Sequence, residues 1–502
     1  MKPNVPVLLA VFALGFLAMV LSCSPAEEVQ VIRVERDEGR QVVDPVARAD
    51  VAILFTGSTR GEFEPCGCGG VFEGGFARRS VVIDRLRRIN PELLLVDTGD
   101  IVSSGSPAQT EFIAQAYEAL HYDAIGLGEG ELRGGTEVLY QYAERYNLPL
   151  VCSNLKFKTP TMIREFVGLE RAGRKIAVIS VVADRWLAIL PQKLRDRFTY
   201  ETPVKALRRL VPQLKRDYSA VVLLSHLGPS VRETLDPRDL EGIDLWIDNG
   251  GHQWAQRMAP RATQAVLAPK TPDETCLFID RTPPLMVSWH NDRMVGIAGI
   301  KWQGRRLSIP IARMIPLEKG MVEDKKFLEI YDAYKYVSRQ EMVRLFTTPT
   351  TTSTRPDAFQ YVPSKKCAPC HRQIYDFWKT TQHAHAFETL VKSNRDADLN
   401  CWACHTVGFR EDTGFRNPIA TPDLVDVGCQ NCHLKDLRRH PKSDRPASTQ
   451  AARFNQFRGN LTQSWHCQRC HVPHRSPSYE PKSYLKRIAC PQALDKSVAP
   501  KP

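Results

Sequence analysis

The chain has 502 residues, 14 cysteines and 13 histidines, and its 68 basic and 56 acidic side chains give a formal net charge of +12. This length excludes a small disulfide-stapled scaffold and predicts two to four ordinary domains. With 43% apolar and 25% charged residues, the chain has the composition of a folded protein rather than a disordered one. The basic excess is modest and contains no dense Lys/Arg block, so we expect no nucleic-acid partner.

The N-terminus has the pattern of a bacterial export signal. Lys2 is followed by an uncharged apolar run of 17 residues, 5–21, that ends just before Cys23. The pattern resembles that of bacterial lipoproteins, which implies that residues 1–22 are removed as a signal peptide and that Cys23 carries a lipid. An uncleaved membrane anchor is the alternative, because 17 apolar residues lie near the lower limit of a membrane span. Both readings predict the bacterial cell envelope, on the periplasmic side or at the outer membrane.

Composition divides the remainder of the chain. Residues 23–49 are polar and form a predicted tether. In residues 50–315, strand-like apolar runs alternate with amphipathic helices, which predicts an α/β arrangement in this domain. The predicted strands are 51–55, 93–96, 148–151, 176–179, 221–224 and 243–247, and the predicted helices are 80–89, 109–120 and 204–215. Residues 316–358 contain a further predicted helix, 324–346, and a Thr/Pro linker; in residues 359–495 Cys, His, Arg and Pro dominate.

Four identical Cys-x-x-Cys-His signatures lie within 105 residues of the C-terminal segment. They are Cys367, Cys370 and His371; Cys401, Cys404 and His405; Cys429, Cys432 and His433; and Cys467, Cys470 and His471. The spacing suits a c-type haem, because two thiols three residues apart form thioethers with the vinyl groups and the adjacent imidazole reaches the iron. A single Cys-x-x-Cys pair would also suit zinc or a redox dithiol. Four copies predict four covalent haem c groups.

The second axial ligands of most haems are expected to be histidines. All nine methionines lie at or before Met342, so no His/Met haem forms within this segment. Five histidines outside the motifs are the distal candidates for four irons: His383, His385, His440, His466 and His474. Most haems are therefore expected to be bis-histidine, with low potentials suited to electron transfer, and one haem is a candidate for an open, five-coordinate site.

Two stretches around these motifs resemble the tetrahaem cytochrome c-554/c-prime family. They are residues 378–387, after the first motif, and residues 427–440, around the third, and the resemblance extends over about residues 361–490. It implies that His383 and His440 are distal ligands and that the haems stack closely.

The resemblance ends before the C-terminus. Relatives commonly close with a Tyr-rich stretch finishing in His, whereas the corresponding stretch here finishes in Cys490. The sixth ligand of one haem is then His474, Cys490 as a thiolate, or absent. His385 ranks second to His383, and His466 either serves a neighbouring haem or lies at the surface.

The N-terminal domain carries a second resemblance. Five segments come in the order and spacing of calcineurin-like metallophosphoesterases, most like the N-terminal domain of periplasmic 5′-nucleotidases: residues 51–61, 96–100, 122–132, 224–228 and 250–254. Over residues 50–315 this implies a double β-sandwich flanked by helices, with metal ligands at strand ends. The predicted fold class of the whole chain is α+β, with a small, mostly helical or irregular tetrahaem domain following the sandwich.

The metal-binding set that this resemblance implies is incomplete. The family motif Asp-x-His is replaced by Ser-Thr-Arg at residues 58–60. The family motif Gly-Asn-His-Glu is replaced by Gly-Glu-Gly-Glu at residues 128–131, and the last His of the motif Gly-His-x-His is replaced by Trp254. Two-metal hydrolysis of phosphoesters needs a full set of ligands around both ions. We therefore do not expect this activity.

Four candidate ligands remain in the N-terminal domain. Asp100, His226 and His252 match family positions, and Glu129 stands where the amide ligand belongs. Two histidines and two carboxylates suit one zinc or manganese ion. The alternative is that they are ordinary hydrogen-bonded residues of a site that no longer binds metal.

Five cysteines remain once the haem motifs and Cys23 are set aside. They are Cys66, Cys68, Cys152, Cys276 and Cys490, the last of which is a candidate haem ligand. Adjacent pairing of Cys66 with Cys68 is disfavoured, which leaves metal binding, pairing with Cys152 or Cys276, or a structural turn. The Gly-rich stretch around them lacks the spacing and Lys of a phosphate loop.

The sequence thus predicts an envelope-anchored tetrahaem cytochrome that exchanges electrons with redox partner proteins. The phosphoesterase-like domain then acts as a scaffold or docking surface. The alternatives are a redox enzyme acting on a small nitrogen or sulfur compound at a five-coordinate haem, and a metal-dependent phosphoesterase, which the missing ligands disfavour. Haem propionates reduce the charge of the holoprotein to roughly +8 in the ferric and roughly +4 in the ferrous form.

Overall fold

A computed structural model describes most of the chain. The described residues are 31–33, 43–64, 74–102, 107–133, 136–158, 162–188, 190, 192–232, 234–249, 276–279, 283–288, 293–304, 306–347, 361–409, 411, 413–433, 467, 470, 471, 476 and 479–488. Several predictions fall outside them: those on Cys23, Cys66, Cys68, His252, His440, His466, His474 and Cys490. Within the described part of the chain, no helix is long and apolar enough to cross a membrane.

Fifteen strands lie within the described residues. They are β1 (Val31–Arg33), β2 (Val51–Thr56), β3 (Leu94–Asp97), β4 (Ala124–Gly126), β5 (Leu150–Val151), β6 (Leu155–Phe157), β7 (Phe166–Arg171), β8 (Arg174–Val182), β9 (Phe198–Tyr200), β10 (Ala220–His226), β11 (Leu245–Asn249), β12 (Cys276–Ile279), β13 (Leu285–Ser288), β14 (Met294–Gln303) and β15 (Arg306–Pro316).

The α-helices of the described residues fall into two groups along the chain. Those before the cysteine-rich segment are α1 (Val43–Ala47), α2 (Phe76–Ile89), α3 (Pro107–Leu120), α4 (Glu129–Arg133), α5 (Thr136–Arg145), α6 (Asp184–Ala188), α7 (Gln192–Arg195), α8 (Pro203–Asp217), α9 (Pro229–Arg232) and α10 (Lys325–Thr347). Those within it are α11 (Arg372–Lys379), α12 (Ala386–Lys392), α13 (Leu399–His405), α14 (Cys429–Cys432) and α15 (Pro481–Ile488).

Two sheets form the centre of the N-terminal domain. One has the order β1-β12-β13-β11-β10-β8-β7 and the other has the order β15-β14-β2-β3-β4-β5. Strands β2 to β5 are parallel, as are β8, β10, β11 and β13, while β7 and β14 pair antiparallel with their neighbours. The parallel strands end at the same sheet edge, so the loops that follow them lie side by side.

Side chains of alternate residues divide each central strand between two apolar cores. In β2, Val51, Ile53 and Phe55 join one buried cluster, which β10 also enters, whereas Ala52 and Leu54 join a cluster formed with helices. Successive residues of a strand point to opposite faces, so the first cluster fills the space between the sheets. The predicted double β-sandwich flanked by helices is therefore confirmed, within an α+β chain.

The strongly apolar strands and amphipathic helices were predicted from sequence within a few residues. Helix α8 shows why: Thr202 caps it, Pro203 occupies its first turn, and the Thr202 side chain accepts a hydrogen bond from the backbone N–H of Lys205. The antiparallel strands β7, β14 and β15 and helices α4 and α5 were not predicted. Strand β15 has a mixed burial pattern, which gives a weaker periodic signal than a buried parallel strand.

The C-terminal segment has a small core and short helices, as predicted. Trp402 and Phe415 are its largest fully buried side chains, and Tyr361, Phe387 and Leu424 pack with them. The Trp402 indole N–H donates to the carbonyl of Asp396 at 2.6 Å. Because little apolar surface is available here, the segment has much less core to stabilise it than the sandwich has.

Gly99 lies in the loop after β3, where a side chain would not fit. Its φ is 101°, and a Cβ atom there would lie 2.6 Å from the backbone carbon of Leu127. We expect Gly99→Ala to lower the free energy of unfolding by more than about 3 kcal/mol, because backbone strain and a backbone clash add. Gly173→Ala is the control: its φ is also positive, but a Cβ would meet no atom within 4 Å, so we expect about 1–2 kcal/mol. Urea unfolding of both variants would measure the difference, and equal losses would contradict the clash.

Candidate functional site

Two loops at the sheet edge hold the predicted N-terminal site. The backbone N–H groups of Ser58 and Arg60 donate to the carbonyls of Gly99 and Asp100 at 2.8 and 2.7 Å. Ser58, Arg60 and Asp100 have φ of 54°, 53° and 60°, a conformation that costs non-glycine residues energy and that clusters at functional sites. A strained loop pair therefore lies where the sequence analysis predicts the metal site.

Asp100 lies at the centre of the site but is fully engaged by the protein itself. Its side chain is 1% exposed, and its Oδ2 lies 3.1 Å from Nη2 of Arg60 and 3.6 Å from Nε2 of His226. Its Oδ1 accepts a hydrogen bond from the N–H of Gly130 at 2.8 Å. Burial raises the pKa of Asp100, but the charges of His226 and Arg60 outweigh burial and the pKa is lowered.

Glu131 has a structural role that the sequence did not predict. Its carboxyl oxygens accept hydrogen bonds from the backbone N–H groups of Asp100, Val102 and Gly128 at 2.8, 3.2 and 2.7 Å. Burial, followed by the nearby charge of Asp100, raises the pKa of Glu131 to about 8. Glu131 therefore ties the β3 and β4 loops together. Glu129, the predicted ligand, begins α4 and contributes to the electrostatic surroundings of Arg185.

The described residues do not fit a divalent metal ion. No group of three or more His, Cys, Asp or Glu side chains suited to a metal occurs among them. The Arg60 guanidinium already neutralises Asp100, and Ser58 uses its side chain to accept from Nδ2 of Asn249 at 2.7 Å. His252 lies outside the described residues, so its predicted ligand role stays a prediction. The pairing of Arg60 with Asp100 was missed, although the basic residue in the Asp-x-His position was the signal for it.

A buried polar network supports this site from the neighbouring sheet. Nη1 of Arg232 lies 2.7 Å from Oδ2 of Asp248, and both side chains are 0% exposed. The Ser225 hydroxyl donates to Oδ1 of Asp248 at 2.5 Å and accepts from the Trp246 indole at 2.7 Å. Separating Arg232 from Asp248 would leave an uncompensated buried charge, which is costly. The network therefore holds the ends of β10 and β11 in place.

The eight haem-motif cysteines are all described, and none forms a disulfide. The thiols of Cys367 and Cys429 hydrogen-bond to each other, and the backbone N–H of Cys429 donates to the Ser364 hydroxyl at 3.1 Å. The first and third motifs therefore lie side by side.

Cys152 differs from the eight motif cysteines because it is buried in the sandwich domain. Burial raises the pKa of its thiol to about 12, and the thiol contacts Asn154 at 3.6 Å. These properties are expected of an unreactive structural thiol.

Two motif histidines are oriented through Nδ1. In His405 this nitrogen lies 2.6 Å from the carbonyl of Ala386, and in His471 it lies 2.9 Å from the Ser476 hydroxyl. A hydrogen bond at Nδ1 leaves Nε2 as the ligating nitrogen, which is how proteins commonly orient metal-bound histidine. These contacts fit an iron ligand on the Nε2 side of each ring.

The two predicted distal candidates after the first motif have different surroundings. The ring centres of His383 and His471 lie 6.0 Å apart, and burial lowers the pKa of His383. Burial, with the charge of His383, lowers the pKa of His471 to about 4, so both rings are neutral at pH 7. His385 is instead more than half exposed, with Nε2 3.0 Å from the carbonyl of Lys379 and Nδ1 3.6 Å from Glu388. His383 is therefore better placed than His385 to bind iron.

Comparison with known proteins agrees with the geometry of the C-terminal segment. Residues 366–434 match the family model described as cytochrome c554 and c-prime. The sequence is 34% identical over 104 residues to cytochrome c-554 of Nitrosomonas europaea, covering 18% of this chain and 44% of that protein.

The remainder of the chain is similar to nucleotidases. It is 25% identical over 308 residues to the 5′-nucleotidase of Vibrio vulnificus, covering 56% of this chain and 54% of that protein. The solved 5′-nucleotidase precursor of Thermus thermophilus aligns at 17% identity with a TM-score of 0.46, covering 59% of this chain and 60% of that one. The chain thus combines a cytochrome c554-like segment with a 5′-nucleotidase-like region. It spans about half the length, or less, of these curated relatives.

Proposed function

We propose that this protein is an envelope-anchored electron-transfer protein that binds four haem c groups through its C-terminal segment. The observation that carries the proposal is the set of four Cys-x-x-Cys-His motifs whose eight thiols are all unbridged. When bound, the haems would supply reversible one-electron chemistry, and bis-histidine ligation would give them low potentials. The number of haems and their role in electron transfer are the parts that experiment must test.

The contact between His383 and His471 supports bis-histidine ligation of the fourth haem. An imidazole nitrogen binds a transition metal at about 2.0–2.1 Å, so two rings on opposite sides of one metal have centres roughly 6 Å apart. The measured separation of 6.0 Å matches this arrangement. His383 and His471 would then hold the iron of the fourth haem together, and Ser476 contacts the His471 ring at Nδ1.

The side-by-side placement of the first and third motifs supports close packing of their haems. The Cys367 and Cys429 side chains touch, and the charge of His371 contributes to the surroundings of His433. Haems bound at these two motifs would therefore lie next to each other. Such proximity is what rapid electron exchange within one chain requires.

The phosphoesterase-like domain serves as a scaffold in this proposal. Arg60 stands in contact with Asp100 where a phosphoesterase would need a metal ion, and this disfavours hydrolysis. The export signal supports a location in the bacterial envelope, with Cys23 as the lipid attachment point. The partners are then an electron donor protein and an electron acceptor protein of the same compartment, with no nucleic acid.

Intact-protein mass spectrometry combined with an optical spectrum tests the proposal. We expect the denatured, exported full-length protein to retain the mass of four haems and the reduced protein to show the sharp α band of haem c. Fewer than four covalent haems would contradict the proposed cofactor content. A phosphate-release assay on nucleotides with added Mn²⁺ or Zn²⁺ is the companion measurement, and metal-dependent hydrolysis would contradict the scaffold role.

A further inference from the structure

Helix α10 follows the sandwich domain in the chain, packs on it, and also contacts the haem-binding segment. On one side, Tyr331 and Tyr334 stack on Phe63, with ring centres 5.7 and 5.2 Å apart, and Phe327 stacks on Phe76 at 6.3 Å. Tyr334 is only 2% exposed. These aromatic contacts fix the position of α10 on the sandwich.

The other side of α10 contacts the loop that precedes the second haem motif. The Tyr334 hydroxyl donates to Oδ1 of Asp398 at 3.3 Å. Arg339 hydrogen-bonds to the Asn394 side chain, and its guanidinium lies 3.7 Å from Oδ1 of Asp396. Residues 394–398, which we name the second-motif loop, are therefore bound at three points by the sandwich domain.

This loop carries a buried ion pair directly beside the second motif. Nη2 of Arg395 lies 3.1 Å from Oδ2 of Asp398, and the two side chains are 11% and 8% exposed. The backbone N–H of Cys401 donates to the Asp398 carbonyl at 2.9 Å, so Asp398 immediately precedes and supports α13. Burial, with the Asp398 charge, raises the pKa of Tyr334 well above its usual value, and the hydroxyl remains a donor at neutral pH.

We propose that Tyr334 of helix α10 is a positioning residue that sets the reduction potential of the haem at Cys401 and Cys404 through its hydrogen bond to Asp398. The proposal rests on the proposed haem attachment at this motif. Reduction adds one electron to a ferric haem, so a nearby carboxylate opposes it and groups that neutralise the carboxylate favour it. The Tyr334 hydroxyl and the Arg395 guanidinium both bind Asp398 and both act in this favourable direction.

Tyr334→Phe tests the proposal because it removes only the hydroxyl and keeps the stacked ring. We expect the midpoint potential of one haem to fall, with the ferrous-to-ferric ratio at the wild-type midpoint decreasing about threefold, which is about 28 mV at about 59 mV per tenfold change. Spectroelectrochemical titration of the full-length holoprotein would measure it. The matched control is Tyr336→Phe on the same helix, whose side chain is 65% exposed and should leave all midpoints unchanged.

A second variant is expected to shift the midpoint potential in the opposite direction, which a general folding defect would not do. Asp398→Asn removes the negative charge, so the same midpoint should rise. The haem count is measured first on each variant: absence of four haems in the wild type would contradict the proposed function, not this inference. With four haems present, the inference is overturned if Tyr334→Phe leaves all four midpoints unchanged, shifts all four equally, or shifts them no more than Tyr336→Phe does.

Discussion

Replacing His383 by Ala should convert one low-spin ferric haem into a high-spin one. In the proposed arrangement His383 binds the iron opposite His471, and its ring centre lies 6.0 Å from that of His471. Its removal takes away the imidazole of the sixth position, so we expect a five-coordinate or water-bound iron. Electron paramagnetic resonance of the oxidised protein should lose one of its low-spin signals and gain a high-spin signal. Added imidazole should restore the low-spin signal.

His385→Ala is the control for this result. His385 is two residues from His383, but its ring is held at the surface by Lys379 and Glu388. We expect its replacement to leave all haem signals as in the wild type. A high-spin signal from His385→Ala, with none from His383→Ala, would show that the two histidines have exchanged the roles proposed here.

Replacing Arg60 by Met should destabilise the sandwich domain strongly. The Arg60 guanidinium faces Asp100, which is 1% exposed, at 3.1 Å. Removing one partner of a buried pair costs about 3–5 kcal/mol, and we expect a loss at the lower end of this range because His226 and the Gly130 N–H still contact Asp100. Guanidinium unfolding followed by tryptophan fluorescence should show this loss. Arg238→Met is the matched control, because Arg238 pairs with Asp236 at the surface, where its side chain is 86% exposed, and its loss should leave the unfolding midpoint unchanged.

Unfolding of the wild type with and without added metal separates the two hypotheses on the N-terminal site, a bound metal ion and a site without metal. If the guanidinium holds the place of a cation, Mn²⁺ or Zn²⁺ at stoichiometric concentration should leave the stability of the wild type unchanged. A wild-type transition that rises with added metal, and a metal content near one ion per chain, would establish the mononuclear site predicted for Asp100, Glu129, His226 and His252.

Several central strands of the fold could be predicted because burial on both faces gives a continuous apolar run, whereas the buried three-residue strand β4 was not predicted. Strands β2 and β10 are fully buried along their length, and each begins with a continuous apolar run of five residues. Strand β14 ends in alternating exposed residues and pairs with β15 across a register shift, so its sequence lacks one consistent period. The pairing of such strands depends on tertiary contacts, which no local pattern records.

The two candidate sites also differ in how much of each could be predicted from the sequence. The haem motifs were predictable because covalent attachment requires fixed residues at fixed spacing. The pairing of Arg60 with Asp100 joins residues 40 positions apart, and the bond between Tyr334 and Asp398 spans 64 positions and two domains. Both contacts exist only once the chain has folded. Motif spacing therefore predicted the chemistry, and the fold was needed to show which neighbours modulate it.

The number of electrons that one chain exchanges tests the central claim most directly. Coulometric titration of the purified full-length protein, monitored at the haem α band, should require four electrons per chain for complete and reversible reduction. That result would agree with four haems held by the motifs at Cys367, Cys401, Cys429 and Cys467. Uptake of fewer than four electrons, or none, would contradict a tetrahaem electron-transfer protein.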